Sequence, residues 1–288
     1  MMLIGSHVSI SGGLYKAIAL GGKIGCTAIQ IFTKNANRWK AKPLQDHDII
    51  RFQEAWKDSE IKTVITHDSY LINLGTPKDE LWHKSQDAFK TELERCEQLG
   101  IPYLVMHPGA HVGSGERTGL QRVAEAFDSI HRETEEFAVK TLIETTAGQG
   151  TSLGYRFEQI ARILELVQKP ERLGVCLDTC HIFAAGYELR TEAGYQKTMA
   201  DFDRILGLDQ LQAIHLNDSM KALGSRVDRH QEIGKGEIGL DGFRWIMNDF
   251  RLQGIPMILE TPKGDDPIVS DRKNLRIVRS LIRKRSEM

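Results

Sequence analysis

Residues 174–181, GVCLDTCH, begin with an uninterrupted apolar run and end with an aspartate and a histidine. A β-rich run that is apolar throughout, with no polar alternation, is typical of a strand buried on both faces, as in a parallel sheet. Runs of this kind recur along the whole chain, at residues 3–8, 28–32, 63–67, 103–107, 141–144, 211–216 and 256–260. The sequence therefore predicts eight buried strands, of which residues 174–178 form the sixth.

Segments with helical periodicity lie between these runs. Residues 84–100, KSQDAFKTELERCEQLG, end at Gly100 before Pro102, and residues 156–168, RFEQIARILELVQ, end before Pro170. Eight strand-helix units in 288 residues leave about 36 residues for each, which predicts an α/β fold of the closed (β/α)8, or TIM barrel, type. A doubly wound open sheet is the alternative. No repeat or low-complexity linker divides the chain, so we expect a single domain over residues 1–288.

Six of the predicted strands end in a side chain that can bind a metal ion. These residues are His67, His107, Glu144, Asp178, His215 and Glu260. They are spaced 34 to 45 residues apart, close to one strand-helix unit, so we expect them to meet at the C-terminal mouth of the barrel. Three carboxylates crowded with three imidazoles would be costly without neutralising cations, which predicts metal binding.

Two local pairs extend this set to nine donors. Asp178 and His181 lie three residues apart in LDTCH, and Asp228 and His230 lie two apart in SRVDRH, on one side of an extended segment. Nine oxygen and imidazole donors suffice for two or three ions. A donor set without thiolates suits Zn²⁺ or Mn²⁺ and argues against a structural zinc site.

We do not expect the remaining histidines and the cysteines to bind the metal ions. His7 and His111 are candidates to hydrogen-bond metal ligands. We expect solvated surface positions for three histidines in charged, helix-like segments: His47, His83 and His131. We expect buried or free thiols, not disulfides, for the four cysteines: Cys26, Cys96, Cys176 and Cys180.

Composition limits the partners. The chain has 38 basic and 39 acidic residues, a net charge of −1, so a histone-like DNA binder is excluded and nucleic-acid affinity requires a local patch. The N-terminus lacks the pattern of a signal peptide and no run is long enough to cross a membrane, so a cytoplasmic location and no membrane partner are expected. We expect a monomer without an obligate protein partner, and a solvated face for the basic segment of residues 271–285.

Three predicted mouth loops carry groups suited to DNA. Residues 32–43, FTKNANRWKAKP, surround Trp39 with cations. Those cations are Lys34, Arg38, Lys40 and Lys42, and the seventh loop adds Lys221, Arg226 and Arg229. The segment DSYLINLG follows His67 directly and places Tyr70 and Leu71 at the mouth. Cations beside an aromatic and aliphatic wedge are found in proteins that kink duplex DNA and flip a nucleotide out of it.

The predicted metal cluster is compatible with more than one reaction. Two ions bridged by a carboxylate can hydrolyse a phosphodiester, but a compact multi-cation site also suits a sugar or keto-acid isomerase. A zinc-loaded DNA-binding module without activity is a further alternative. The loops favour the DNA-directed hydrolase.

Seven segments of the chain resemble endonuclease IV, the zinc-dependent apurinic/apyrimidinic endonuclease family of base-excision repair. They are HDSYLINLG, HPGAH, IETTAGQG, GVCLDTCHIFAAGYELRT, HLND, GSRVDRH and ILET, in this order. The similarity extends from GSHVS at the N-terminus to about residue 262 and fills all nine metal-ligand positions. It implies a TIM barrel that cuts duplex DNA on the 5′ side of abasic sites, leaving a 3′-hydroxyl and a 5′-deoxyribose phosphate.

The resemblance also implies roles for individual residues. It implies three Zn²⁺ ions: one on His67, His107 and Glu144; a second on Glu144, Asp178, His215 and Glu260; a third on His181, Asp228 and His230. Glu144 would bridge two ions, and Glu260 would orient a hydroxide held between them for attack on the phosphate. The DNA contacts that we expect in the mouth loops are Asn35, Arg38, Tyr70, Leu71 and Arg226.

Two positions depart from the family pattern. Thr145 follows Glu144 where the family commonly has asparagine. Asn37 stands where the family usually has an arginine that enters the DNA stack, and Arg38 comes one residue later. The contacts of this loop are therefore expected to differ from those of the family.

Overall fold

A computed structural model describes residues 2–283 of the chain. Its strands are β1 (Ile4–His7), β2 (Ala28–Ile31), β3 (Thr63–His67), β4 (Tyr103–Met106), β5 (Lys140–Glu144), β6 (Leu173–Asp178), β7 (Leu211–His215), β8 (Asp218–Ser219), β9 (His230–Gln231) and β10 (Met257–Leu259). Eight of them are parallel neighbours in a closed barrel of order β1-β10-β7-β6-β5-β4-β3-β2, and β8 and β9 form a separate antiparallel pair. The predicted barrel is confirmed, and the open sheet is excluded because β1 pairs with both β2 and β10.

Helices cover the outside of the barrel. They are α1 (Leu14–Ile24), α2 (Asp46–Lys57), α3 (Asp79–Leu99), α4 (Glu116–Glu133), α5 (Phe157–Leu166), α6 (Thr179–Ala185), α7 (Glu192–Leu206), α8 (Gly239–Met247) and α9 (Pro267–Ser280), with short 3₁₀ helices at Pro170–Arg172, Leu208–Gln210 and Phe250–Leu252. α3 ends as predicted: Gly100 adopts a left-handed conformation, with φ of 72°, and its N–H bonds back to the helix. No helix within residues 2–283 is long and apolar enough to cross a membrane.

Several strands are one or two residues shorter than predicted. β4 ends at Met106 and β10 at Leu259, so His107 and Glu260 are the first residues beyond their strands. β7 likewise ends at His215, one residue before the predicted end. His107 and Glu260 thus lie where the chain turns from the strands into the mouth loops.

A small apolar cluster fills the barrel below the mouth. Its members are Ala28, Ile65, Val105, Leu142, Cys176, Ala213 and Ile258, all fully buried. β1 contributes Gly5 opposite Ala28, where an added Cβ would lie 1.5 Å from the Ala28 carbonyl oxygen. Only glycine fits this close approach between two strands.

Two predictions about surface position are wrong. His131 is 2% exposed, because it lies on the apolar face of α4 and its ring stacks on Phe127 with 5.8 Å between centroids. Burial lowers the pKa of His131 to about 4. The basic segment is also not a simple solvated face: in α9, Asp271 and Leu275 are buried against the barrel, whereas residues 284–285 lie outside the described part.

Other expectations about burial are confirmed. His47 and His83 are exposed. The four cysteines are buried with free thiols, and burial raises the pKa of Cys26 and Cys176 to about 11 and that of Cys96 to about 12.

Candidate metal centre and nucleic-acid face

Glu144 lies at the centre of the mouth, at the end of β5, and is fully buried. One carboxylate oxygen, Oε2, lies 3.0 Å from His67 Nε2 and 3.2 Å from His107 Nε2. The other, Oε1, lies 3.0 Å from His215 Nδ1 and 3.2 Å from His181 Nδ1. Its two oxygens therefore face two different pairs of imidazoles, which is the arrangement that a bridging carboxylate requires.

The structure brings together two donor groups around Glu144. Ligand atoms of His67, His107 and Glu144 all lie within 4.8 Å of one another, and so do those of Glu144, Asp178, His215 and Glu260. These two groups have the membership that the resemblance implies for the first and second ions. Because β3 to β7 and β10 are neighbours in the barrel, their ends converge without any contribution from distant loops.

A third group lies where the β8–β9 segment meets α6. His181 Nε2 lies 3.1 Å from Asp228 Oδ2, and His230 Nε2 lies 3.5 Å from Asp228 Oδ1. Donor atoms also cluster as Asp178 with His181 and His230, and as Cys180 with Asp228 and His230. The expected donor set contains no sulfur, so the proximity of Cys180 is new. Burial raises the pKa of this thiol to about 12.

The histidines and carboxylates of the centre stabilise each other's charged forms. Burial opposes the charged form of each group, but the facing charges outweigh it. They hold the pKa of His67, His181 and His215 well above the usual range. They also hold the pKa of Glu144 and Glu260 well below theirs.

The donor chemistry also fits divalent metal ions. Within residues 2–283, no lysine or arginine forms an ion pair with Glu144, Asp178 or Glu260. Their charge must therefore be balanced by protonated imidazoles or by bound cations. Imidazole nitrogens and carboxylate oxygens at one end of a barrel are a donor set that Zn²⁺ accepts.

Two amide side chains that were not predicted from the sequence hydrogen-bond the candidate ligands. Gln30 donates from Nε2 to Glu260 Oε1 over 2.6 Å, and its Oε1 lies 2.8 Å from His215 Nε2. Asn217 donates to Asp178 Oδ2 over 2.7 Å and accepts from the Glu260 N–H. The sequence does contain a signal for Gln30. Gln30 follows Ala28 by two residues on β2, as His67 follows Ile65 on β3, so both side chains share a face with a buried apolar residue.

The two histidines expected to support the ligands differ. His7 Nδ1 lies 3.1 Å from Glu260 Oε1, so it contacts a candidate ligand. The His111 ring instead accepts a hydrogen bond from the Gly115 N–H of its own loop. Thr145, one of the departures from the family pattern, accepts a hydrogen bond from the Asp178 N–H through Oγ1, so this position still contacts the backbone of a ligand.

A cavity of about 780 Å³ opens above the metal donors. Asn35, Asn37 and Tyr70 line its wall. Tyr70 is 66% exposed, and its ring packs edge-on against Phe32 at 5.4 Å between centroids. Leu71 lines a smaller neighbouring cavity that also reaches His67 and His107. Aromatic and amide side chains therefore line these cavities together with the metal donors.

The expected cations have different positions. Arg38 is exposed, and Arg226 is exposed with its guanidinium 4.6 Å from the Tyr155 ring centroid. Lys34 is only 7% exposed, and its Nζ lies 2.9 Å from Glu92 Oε1. Its charge is thus already paired inside the protein, although its side chain also lines the main cavity, so a phosphate contact by Lys34 stays a prediction.

Comparison with known proteins agrees with this geometry. Residues 18–281 match the model of the xylose isomerase-like TIM barrel family. The chain is 54% identical over 282 residues to a probable endonuclease 4 of Chloroflexus aurantiacus, covering 98% of this chain and 99% of that protein. It is 51% identical over 283 residues to a probable endonuclease 4 of Geobacter sulfurreducens, covering 98% and 95%. The crystal structure of endonuclease IV from Thermus thermophilus superposes with a TM-score of 0.85 at 35% identity, covering 96% of this chain and 98% of that one.

These matches extend over nearly the full length of the chain and of its relatives. The chain belongs to the endonuclease IV family, and it is an enzyme of the nuclease class.

Proposed function

We propose that this enzyme hydrolyses the phosphodiester on the 5′ side of abasic sites in duplex DNA, as a step of base-excision repair. The products are a 3′-hydroxyl and a 5′-deoxyribose phosphate. The observation that carries the proposal is the position of Glu144, whose two oxygens face two pairs of histidines beneath a cavity with an exposed aromatic rim.

The proposed cofactor is three Zn²⁺ ions, with Mn²⁺ acceptable in some sites. The first is held by His67, His107 and Glu144, the second by Glu144, Asp178, His215 and Glu260, and the third by His181, Asp228 and His230. When bound, such ions supply an activated water at neutral pH and positive charge for the phosphate oxygens.

The chain positions the groups that act on the water and the phosphate. Glu260 Oε1 is held by Gln30 and faces His7, and its Oε2 lies 3.3 Å from His215 Nδ1. A carboxylate fixed in this way can accept a hydrogen bond from the attacking water and orient it toward the phosphorus. Glu144 is fixed by histidines on both sides and keeps the two halves of the centre together.

The loops provide recognition in this proposal. Tyr70 and Leu71 form the wedge, Asn35 lines the cavity, and Arg38 and Arg226 contact phosphates or the DNA stack. An abasic site lacks base pairing, so extruding that nucleotide costs a few kcal/mol less than extruding a paired one. The cavity beside Tyr70 then holds the flipped sugar and brings its 5′ phosphate to the metal donors.

A nicking assay tests the proposal. A duplex with a single abasic site, labelled on the damaged strand, should be cut only at that site, with a 3′-hydroxyl end, and a chelator should abolish cutting. An intact duplex of the same sequence is the control. Binding without cutting would indicate the non-catalytic module, and no action on DNA with turnover of a free sugar would indicate the isomerase; either result contradicts the proposal.

We further propose that the enzyme acts in the cytoplasm as a monomer, as one domain over residues 1–288, without an obligate protein partner. Sedimentation of the protein with a stoichiometric abasic duplex should give a complex of one chain and one duplex. A complex of two chains would contradict the monomer.

A further inference from the structure

Four polar side chains, none of them a metal donor, form a buried cluster beneath the loop of residues 33–42, and one of them, Lys34, also lines the cavity above the donors. They are Thr33, Lys34, Glu92 and Arg95, with exposures of 2, 7, 1 and 7%. Glu92 and Arg95 belong to α3, on the outside of the barrel, whereas Thr33 and Lys34 begin the loop. We name this cluster the loop anchor. Nothing in the proposed chemistry uses it.

Glu92 is the acceptor of the loop anchor. Its Oε2 accepts a hydrogen bond from Thr33 Oγ1 over 2.7 Å, and its Oε1 pairs with Lys34 Nζ at 2.9 Å. Lys34 Nζ also donates to the carbonyl oxygen of Arg38 over 2.9 Å. One buried carboxylate therefore fixes the start of the loop directly and its middle through Lys34.

Arg95 joins the two ends of the loop. Its Nη2 donates to the carbonyl oxygen of Thr33 and its Nη1 to that of Lys42, over 2.5 and 2.9 Å, while its Nε donates to Thr33 Oγ1. The planar guanidinium presents these donors in a fixed fork, which a lysine ammonium cannot reproduce. Between the two ends, Ser69 donates to the carbonyl oxygen of Ala36.

Buried ion pairs of this kind contribute little net stability, because desolvation offsets most of the attraction. In some proteins such pairs are retained because they select one conformation among several. Here the selected conformation places Asn35 and Asn37 on the cavity wall and leaves Arg38 exposed beside them.

We propose that the loop anchor is a positioning device that holds residues 33–42 in the DNA-binding conformation before DNA arrives. The inference rests on the proposed function, since it assigns the loop to abasic DNA. A preformed loop does not lose conformational freedom on binding, so the anchor strengthens association and leaves the bond-breaking step unchanged. Thr33, Lys34, Glu92 and Arg95 are positioning residues and do not touch the reacting atoms.

The decisive variant is Arg95→Lys, which keeps a positive charge near Glu92 but loses the fork. We expect the KM for abasic duplex to rise about tenfold with kcat within about twofold of wild type, the pattern of lost uniform binding. Metal content should not change. Lys90→Met is the matched control, because Lys90 also lies on α3 and pairs with Glu133 at 2.6 Å, away from the loop.

If Arg95→Lys fails to fold, two milder variants at Thr33 test the same inference. Thr33→Val removes the hydroxyl that joins Glu92 to Arg95 with little change of volume, and Thr33→Ser restores it. We expect a raised KM for the valine variant and a wild-type KM for the serine variant.

The inference is overturned if KM stays within twofold of wild type in the folded variants, if kcat falls instead, or if Lys90→Met has the same effect. If the wild-type enzyme itself does not cut abasic duplex, the proposed function has failed. The wild-type assay therefore separates that failure from a failure of the inference.

Discussion

Two layers of side chains inside the barrel stand two residues apart on the same seven strands and differ completely in chemistry. The lower layer is Ala28, Ile65, Val105, Leu142, Cys176, Ala213 and Ile258. The upper layer is Gln30, His67, His107, Glu144, Asp178, His215 and Glu260. The two residues of each pair face the barrel interior, because side chains two apart share a face, although His107 and Glu260 lie one residue beyond the ends of their strands.

The difference between the layers separates stability from chemistry. The lower layer is fully buried and apolar, so its contribution is burial and packing. The upper layer holds carboxylates and imidazoles that gain little by burial unless cations balance them. We therefore expect substitutions in the upper layer to reduce activity and those in the lower layer to reduce stability.

The largest expected effect belongs to Glu144→Gln in the upper layer. The change removes the charge shared by the two halves of the centre, so nicking of abasic duplex should fall by several orders of magnitude while the protein melts cooperatively near the wild-type temperature. Thermal melting and nicking are measured on the same preparation. Glu60→Gln, at a side chain that is 90% exposed, is the control. A variant that keeps more than about a tenth of the activity counts against the assigned role.

The corresponding substitution in the lower layer is Leu142→Ala, two residues before Glu144 on the same strand. Removal of a fully buried leucine side chain should lower the free energy of unfolding by about 2–5 kcal/mol. Urea denaturation in chelator measures it, so that metal binding does not contribute. Leu240→Ala, at an exposed leucine, should change it by less than about 0.5 kcal/mol. If the folded Leu142 variant binds less metal at saturating zinc, the lower layer also affects the metal centre. That result would contradict the division between stability and activity.

A smaller effect is expected where the upper layer is neutral. Gln30→Leu extends the apolar layer upward and leaves Glu260 Oε1 without its amide donor, so activity or metal affinity should fall about 10–100-fold. The control is Gln212→Leu, since Gln212 accepts from the Tyr103 hydroxyl, far from Glu260. Full activity in the Gln30 variant would contradict this prediction. It would mean that only the carboxylates and histidines of the upper layer are needed for activity.

The smallest expected effect lies outside both layers, at the rim. Arg38→Ala should weaken binding to abasic duplex by about tenfold more than binding to intact duplex if Arg38 replaces the arginine that the family usually has one residue earlier. Affinities are compared at one fixed salt concentration. Equal losses on both duplexes would reduce Arg38 to a phosphate contact, and a larger selective loss for Asn37→Ala would assign the role to position 37.

The sequence predicts the barrel and the convergence of the charged upper layer because both follow from local patterns. A strand end is marked by its own residue type, and the two-residue period assigns its face. Gln30 was missed since an amide is not a common metal ligand, although it has the same spacing from Ala28 as the others. His131 was misplaced although Phe127, four residues earlier, marks the apolar face of α4.

Long-range pairing could not be predicted. Lys34 has the composition of a phosphate contact, and only the tertiary structure reveals that Glu92 pairs with it. The proximity of Cys180 to Asp228 and His230 likewise depends on how the β8–β9 segment folds back over α6. Such contacts join segments many residues apart, and no local pattern encodes them.

In the proposed function, all nine donors bind a cluster of metal ions. Elemental analysis of protein purified without added metal, combined with nicking rates during stepwise removal of metal by a chelator, tests it most directly. We predict about three ions per chain, mainly zinc, with activity lost as they are removed and regained when zinc is returned. Zero or one ion per chain, with full nicking activity, would contradict the claim.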